Sequence, residues 1–234
     1  MGLSLSLDTT EKRALWLLIR YAVYIALLFL LYLSLVYVIL PKKWAFAENG
    51  IIECIQLGLL ILLFAALGIN ALIFARARKL LLLLMSCSIV AIAREMDKIL
   101  DNCIPVLGWQ IVFLLVVPLI LMQLRNRQEL RKQILKFITS QAMAIFLMGI
   151  IIIIPLAQCI GDVNYLRAAM SGEYIREYKT LFEESMELYG YVILLCGAFE
   201  TMLFARQFQK DEKVIGCGHF GQQKCESSRQ CHKS

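Results

Sequence analysis

The chain has 234 residues, 60% of them hydrophobic and 18% charged, with a formal net charge of +6 at neutral pH. That balance lies far outside a soluble globular domain of this length and points to an integral membrane protein. The positive charge calls for no nucleic-acid partner, because a basic inner face is the ordinary condition of a membrane protein with cytoplasmic termini; the partner it implies is the lipid bilayer.

Runs of about 20 apolar residues predict six spans, at 14–40, 49–75, 80–99, 105–123, 137–160 and 181–205. The expected fold is all-α, a polytopic transmembrane helical bundle, because the ten-residue apolar/polar alternation of a membrane barrel is absent. Lys12 and Arg13 precede the first run as they would in a signal peptide. The run is too long for a cleavable apolar core and reaches Pro41 without a small-residue cleavage pattern, so it reads as a retained first span. Arg94, Glu95, Asp97 and Lys98 interrupt the third run, and Glu183, Glu184 and Glu187 the sixth.

Between the spans, one set of connections is rich in basic residues: Arg76, Arg78 and Lys79, then Arg125, Arg127, Arg131, Lys132 and Lys136, then Arg206, Lys210 and Lys213. The opposite set is poorer, with Lys42, Lys43, and the mixed segment 161–180. Short cytoplasmic loops carry the excess of Lys and Arg, which places both termini inside. The organisation that follows is a cytoplasmic N-terminal segment 1–13, a six-span domain 14–205 and a flexible cytoplasmic tail 206–234. Segment 161–180 reads as an interfacial amphipathic helix on the outer surface. The basic stretch 126–136 reads as the inner extension of the fourth or fifth span. Short loops and compactness suggest the inner membrane of a bacterium as the home.

Cysteines within spans behave as small apolar side chains, and a disulfide between Cys103 and Cys159 would need an oxidising outer space. In the tail, Cys217, His219, Cys225, Cys231 and His232 are ligand types for zinc, but their spacing matches no paired zinc pattern and the bland reading is a reduced, mobile tail. Both histidines lie there, so the bundle has none for base catalysis or metal binding. No cofactor is identified.

Depth follows from the 1.5 Å helical rise. Counted from the inner basic residues, Arg94 lies about 22 Å, Glu187 about 28 Å and Glu53 about 35 Å across the membrane. Three spans thus carry polar stripes near their outer ends: Glu53 with Gln56; Arg94 with Asp97, Lys98 and Asp101, and Glu95 beside it; and Glu184, Glu187 and Tyr191, spaced three and four apart on one face. The bland reading is helix-end chemistry, since acidic residues favour a helix N-terminus. The sharper one is convergence into an outer-side polar pocket that could hold an ion or small polar ligand, because charges below the interface are costly unless paired or functional. Arg20 and Glu200, at similar inner depth by helical rise, are expected to form a second, inner ion pair.

Three function classes fit these features. A structural or regulatory membrane protein, the favoured reading, would use the charges as latches between helices. A cation- or proton-coupled small-solute transporter would use the same carboxylates with access from both sides. A metal-dependent membrane enzyme would need a ligand set; no Asp/Glu spacing here is diagnostic of one. The topology is checked by reporter fusions: those after Lys43 and Gly172 should report the outside, and those after Lys79 and Arg131 the inside. Termini on opposite sides would remove one span from the count.

Overall fold

The computed structural model describes residues 8–39, 50–96, 110–124, 127–169 and 176–230. Among these every regular element is helical: α1 (Thr9–Ser34), α2 (Ile51–Ile73), α3 (Arg78–Glu95), α4 (Gln110–Leu124), α5 (Arg127–Ile138), α6 (Gln141–Ile151), α7 (Ala157–Ile160), α8 (Val163–Ala169) and α9 (Arg176–Gln230). Wide π-helical turns follow α1 at Leu35–Ile39 and α6 at Ile152–Leu156, and a 3₁₀ turn, Ala75–Ala77, leads into α3.

Among the described residues four helices are long and apolar enough to cross a membrane: Thr10–Val38, Ile51–Ile73, Gln141–Ile160 and Tyr178–Asp211. They coincide with the first, second, fifth and sixth expected spans. The other two expectations fall on α3 and α4, which are not among the four. α3 has 18 residues with Arg78 and Lys79 at one end and Arg94 and Glu95 at the other, so its uncharged stretch is about 21 Å long at 1.5 Å per residue. α4 has 15 residues. Lys42 and Lys43 of the first expected connection, Asp97 and Lys98 at the end of the third expected span, and Cys103 after it lie outside the described residues.

The chain divides into two compact units, Met1–Ile55 with Gly149–Cys196 and Gln56–Met148 with Gly197–Ser234. In the first, α1 opens with a capping box: the Asp8 backbone N–H donates to Glu11 Oε2 at 2.8 Å, satisfying one of the donors that a helix start leaves over. α1 exposes Trp16, Leu18 and Ile25, each at about two-thirds of its surface. Side chains of that kind facing outward all along a helix are what lipid, rather than water, stabilises.

Close backbone approach organises the rest of that unit. A Cβ on Gly149 would stand 2.7 Å from Leu194 Cδ2 and 3.2 Å from the Gly190 carbonyl, and one on Gly190 would strike Ile153. Two glycines at one crossing let α6 and α9 approach to backbone contact, the mode favoured where lipid supplies no hydrophobic drive between helices. Pro155 lies inside the π-helical turn next to it. A proline ring collides with the carbonyl four residues back in a regular helix, and a turn widened by one residue accommodates it. Sequence chemistry thus sets the turn, and the turn carries buried Ile153.

In the second unit α3 packs on α4 and α5. Its N-terminus is poorly provided for: Ala77 offers no side-chain cap, and the first turn contains no acid. The missing cap comes from α5. Gln133, 5% exposed, accepts the Leu80 backbone N–H at Oε1 at 2.9 Å, and its Nε2 donates to the Arg76 carbonyl at 2.7 Å. One amide therefore satisfies a donor and an acceptor at the joint between the 3₁₀ turn and α3. Gln133 sits on the buried stripe of α5 with Leu130 and Phe137, 1% and 3% exposed. Phe137 continues into an aromatic cluster, its ring 5.5 Å from Phe204 and 6.3 Å from Phe146.

α5 is a helix of its own where an extension of a span was expected. Thr139 and Ser140 separate it from α6, with Ser140 Oγ donating to the Phe137 carbonyl at 2.6 Å. A hydroxyl that bonds the last turn of one helix competes with continued helical pairing and favours a break there. Replacing Gln133 with leucine should destabilise the protein by about 1–3 kcal/mol, because two buried backbone groups lose their partners. Thermal unfolding in detergent micelles checks this; Gln133→Glu, which keeps only the acceptor for Leu80, should not restore the wild-type value.

Candidate functional site

The polar residues predicted to form an outer-side pocket distribute over both units, and each is described in its own. In the first unit Glu184, Glu187 and Tyr191 lie on one stripe of α9, the two carboxylates half-buried and Tyr191 2% exposed. The helical period alone puts them together along that face. Glu53 belongs to the same unit, half-buried in the first turn of α2, where the helix dipole favours a negative charge.

Next to Glu184 on α9, Glu183 folds over the end of α7. Its Cγ would lie 2.5 Å from a Cβ added at Gly161, and Lys179 Nζ stands 3.8 Å from its Oε2. Gly161 is what lets a carboxylate stem lie against that backbone. Next to it Asp162 Oδ1 accepts the backbone N–H groups of Asn164 and Tyr165 at 2.9 and 3.0 Å, the capping that starts α8. The outer segment expected to hold an interfacial helix contains α8, whose Leu166 is buried and Tyr165 exposed; residues 170–175 lie outside the described residues.

In the second unit Gln56 is fully buried, on a stripe of α2 with Leu60, Leu63 and Leu67. Arg94 and Glu95 are half-buried in the last turn of α3, which ends at its C-cap, Met96. The expected third span ran on to residue 99; the earlier stop makes Arg94 a helix-end cation, well placed for the negative end of the dipole. The inner pair expected from the sequence consists of Arg20, half-buried on α1 in the first unit, and Glu200, 5% exposed on α9 in the second.

Among the described residues no group of three or more His, Cys, Asp and Glu side chains could hold a metal ion. The tail candidates fall outside that statement: the backbone carrying Cys217, His219 and Cys225 continues α9 to Gln230, their side chains are not described, and Cys231 and His232 lie outside the described residues. Cys54, Cys87 and Cys159 are free thiols.

Reasoning from sequence missed the polar contacts of the second unit. Lys79 Nζ lies 2.6 Å from Glu129 Oε2, and this hydrogen bond and charge, with a smaller contribution from Lys132, hold the Glu129 carboxyl below its ordinary value. Gln123 Nε2 reaches Ser86 Oγ at 3.4 Å, between α4 and α3. The signal available for Gln133 was an amide three residues after the apolar Leu130 and four before the apolar Phe137 on a helix rich in basic residues. Its partners, 53 and 57 residues away, left no local trace.

Comparison with protein families, with curated proteins and with solved structures gives no match for this chain. Function has to be read from the residues themselves.

The Glu129–Lys79 pair yields a pH prediction. A carboxyl whose folded value is lowered adds stability above its unfolded value, and that contribution disappears as pH falls through the folded one. Glu129 is largely exposed, so the pair is worth at most about 1 kcal/mol. Glu129→Gln should therefore unfold slightly more easily than wild type at neutral pH, with the difference shrinking as the pH falls below the ordinary carboxylate range and disappearing in high salt; thermal unfolding at neutral and strongly acidic pH checks it.

Proposed function

We propose that this chain is a six-span integral membrane protein with cytoplasmic termini, acting as a structural or regulatory component of a bacterial inner membrane. Its outer-end carboxylates are the working groups. The observation that carries the reading is the stripe Glu184, Glu187 and Tyr191, partly to fully enclosed on a helix apolar enough to cross a membrane. A carboxylate in that setting is retained only when it is paired, solvated in a cavity or used. Glu53 in the same unit shares the role, and the same role is proposed for Gln56, Arg94 and Glu95 of the second unit, which lie at similar depth by helical rise. On this reading the ligands of the outer end are an ion, water or a small polar group.

A transport function is the second reading. It draws on the π-helical interruption around Pro155, since transporter sites use helices broken near the binding groups. The two are separated by Glu184→Gln, Glu187→Gln and the double variant in the full chain. A structural or regulatory role predicts reduced thermal stability and membrane abundance, with cation and proton flux in proteoliposomes equal to protein-free vesicles for wild type and variants alike. Transport predicts wild-type flux that the variants lose while abundance is kept. Unchanged stability, abundance and flux in the double variant would remove both.

A further inference from the structure

We propose that the exposed face of α5, together with Arg76 and Arg78 at the entry to α3, is a docking surface for the headgroups of anionic phospholipids. α5 turns Leu130, Gln133 and Phe137 inward. Its other side carries two adjacent stripes at helical spacing, Arg131, Leu135 and Ile138 on one and Gln128, Lys132 and Lys136 on the next, all exposed. Leu135 and Ile138 show 56% and 55% of their surface. A helix with apolar side chains interleaved among cations on its outer face suits neither water nor hydrocarbon alone; it suits the boundary where acyl chains meet headgroups.

Position and charge agree with that boundary. Two residues, Thr139 and Ser140, separate α5 from the apolar helix Gln141–Ile160, and Arg76 and Arg78 follow the end of the apolar helix Ile51–Ile73 within five residues. Gln133 holds the Arg76 backbone against α5 through the 2.7 Å bond to its carbonyl, so the two basic elements form one surface. Glu129 is the only acid on α5, and Lys79 neutralises it. Lys136 lies over the Phe208 ring at 4.7 Å, a cation–π arrangement that keeps the ammonium charged. The complementary ligand is a phosphodiester anion fixed in the plane of a leaflet. This inference rests on membrane embedding and not on the outer carboxylates.

The test uses the full chain reconstituted in bilayers containing trace spin-labelled phosphatidylglycerol or phosphatidylcholine, reading the relative association of each label with the protein. Phosphatidylglycerol should be preferred several-fold. The preference should collapse in about 0.5 M salt, where screening is effective within a few ångströms. It should also be lost in the variant R76Q/R131Q/K132Q and kept in the charge-conserving R131K/K132R. Thermal unfolding of each variant in a neutral detergent separates loss of binding from loss of fold; if the triple variant does not fold, R131Q/K132Q must reduce the preference. Equal association of the two lipids with wild type overturns the proposal, as does a preference undiminished in folded charge-neutral variants. Displacement by millimolar inorganic phosphate would also overturn it, in favour of a site for a free anion.

Discussion

A helix end surrounded by apolar side chains must find partners for its unpaired backbone groups, and at the start of α3 this requirement is met from a distance. Ala77 cannot cap, and basic residues follow it where acids would suit the helix dipole. The amide of Gln133 makes the joint possible by taking the Leu80 N–H and giving a proton to the Arg76 carbonyl. Because Gln133 belongs to the same stripe as Leu130 and Phe137, that bond fixes α5 on α3, and the orientation of α5 then decides which of its basic residues face outward. Local weakness at one helix start and the placement of a charged surface are therefore one problem with one solution.

The first unit solves a different problem by steric means. Gly149 and Gly190 remove the Cβ atoms that would keep α6 and α9 apart, and the π-helical turn around Pro155 places Ile153 against Gly190. Packing of this kind needs no polar group, so α9 can carry its carboxylates elsewhere along its length. The stripe of Glu184, Glu187 and Tyr191 is thereby supported by a helix whose contact with α6 does not depend on it.

Charge is used differently along the chain. On α5 and at the entry to α3, cations are numerous and the one acid of α5, Glu129, is paired with Lys79. At the start of α2 and along α9, Glu53, Glu184 and Glu187 are half-buried. Where Glu183 lies over Gly161 and near Lys179, a carboxylate is accommodated by a missing side chain and a weak, partly exposed ion pair, which contributes little to stability.

The sequence by itself determined the class of protein, the helical architecture and the four long apolar helices, because composition and run length act through solvent preference, which is a local property. It also determined the α9 stripe, since the helical period places residues three and four apart on one face whatever surrounds them. The interruption of the third run was legible in Arg94, Glu95, Asp97 and Lys98, but the end of α3 at Glu95 was not. The break between α5 and α6 rests on a local bond, the Ser140 hydroxyl to the Phe137 carbonyl, whereas the capping of α3 by a glutamine more than 50 residues away was not legible at all. That cap was decided only by tertiary structure, for a physical reason: an unpaired backbone group accepts any partner of suitable geometry, and only the packed chain selects which side chain arrives.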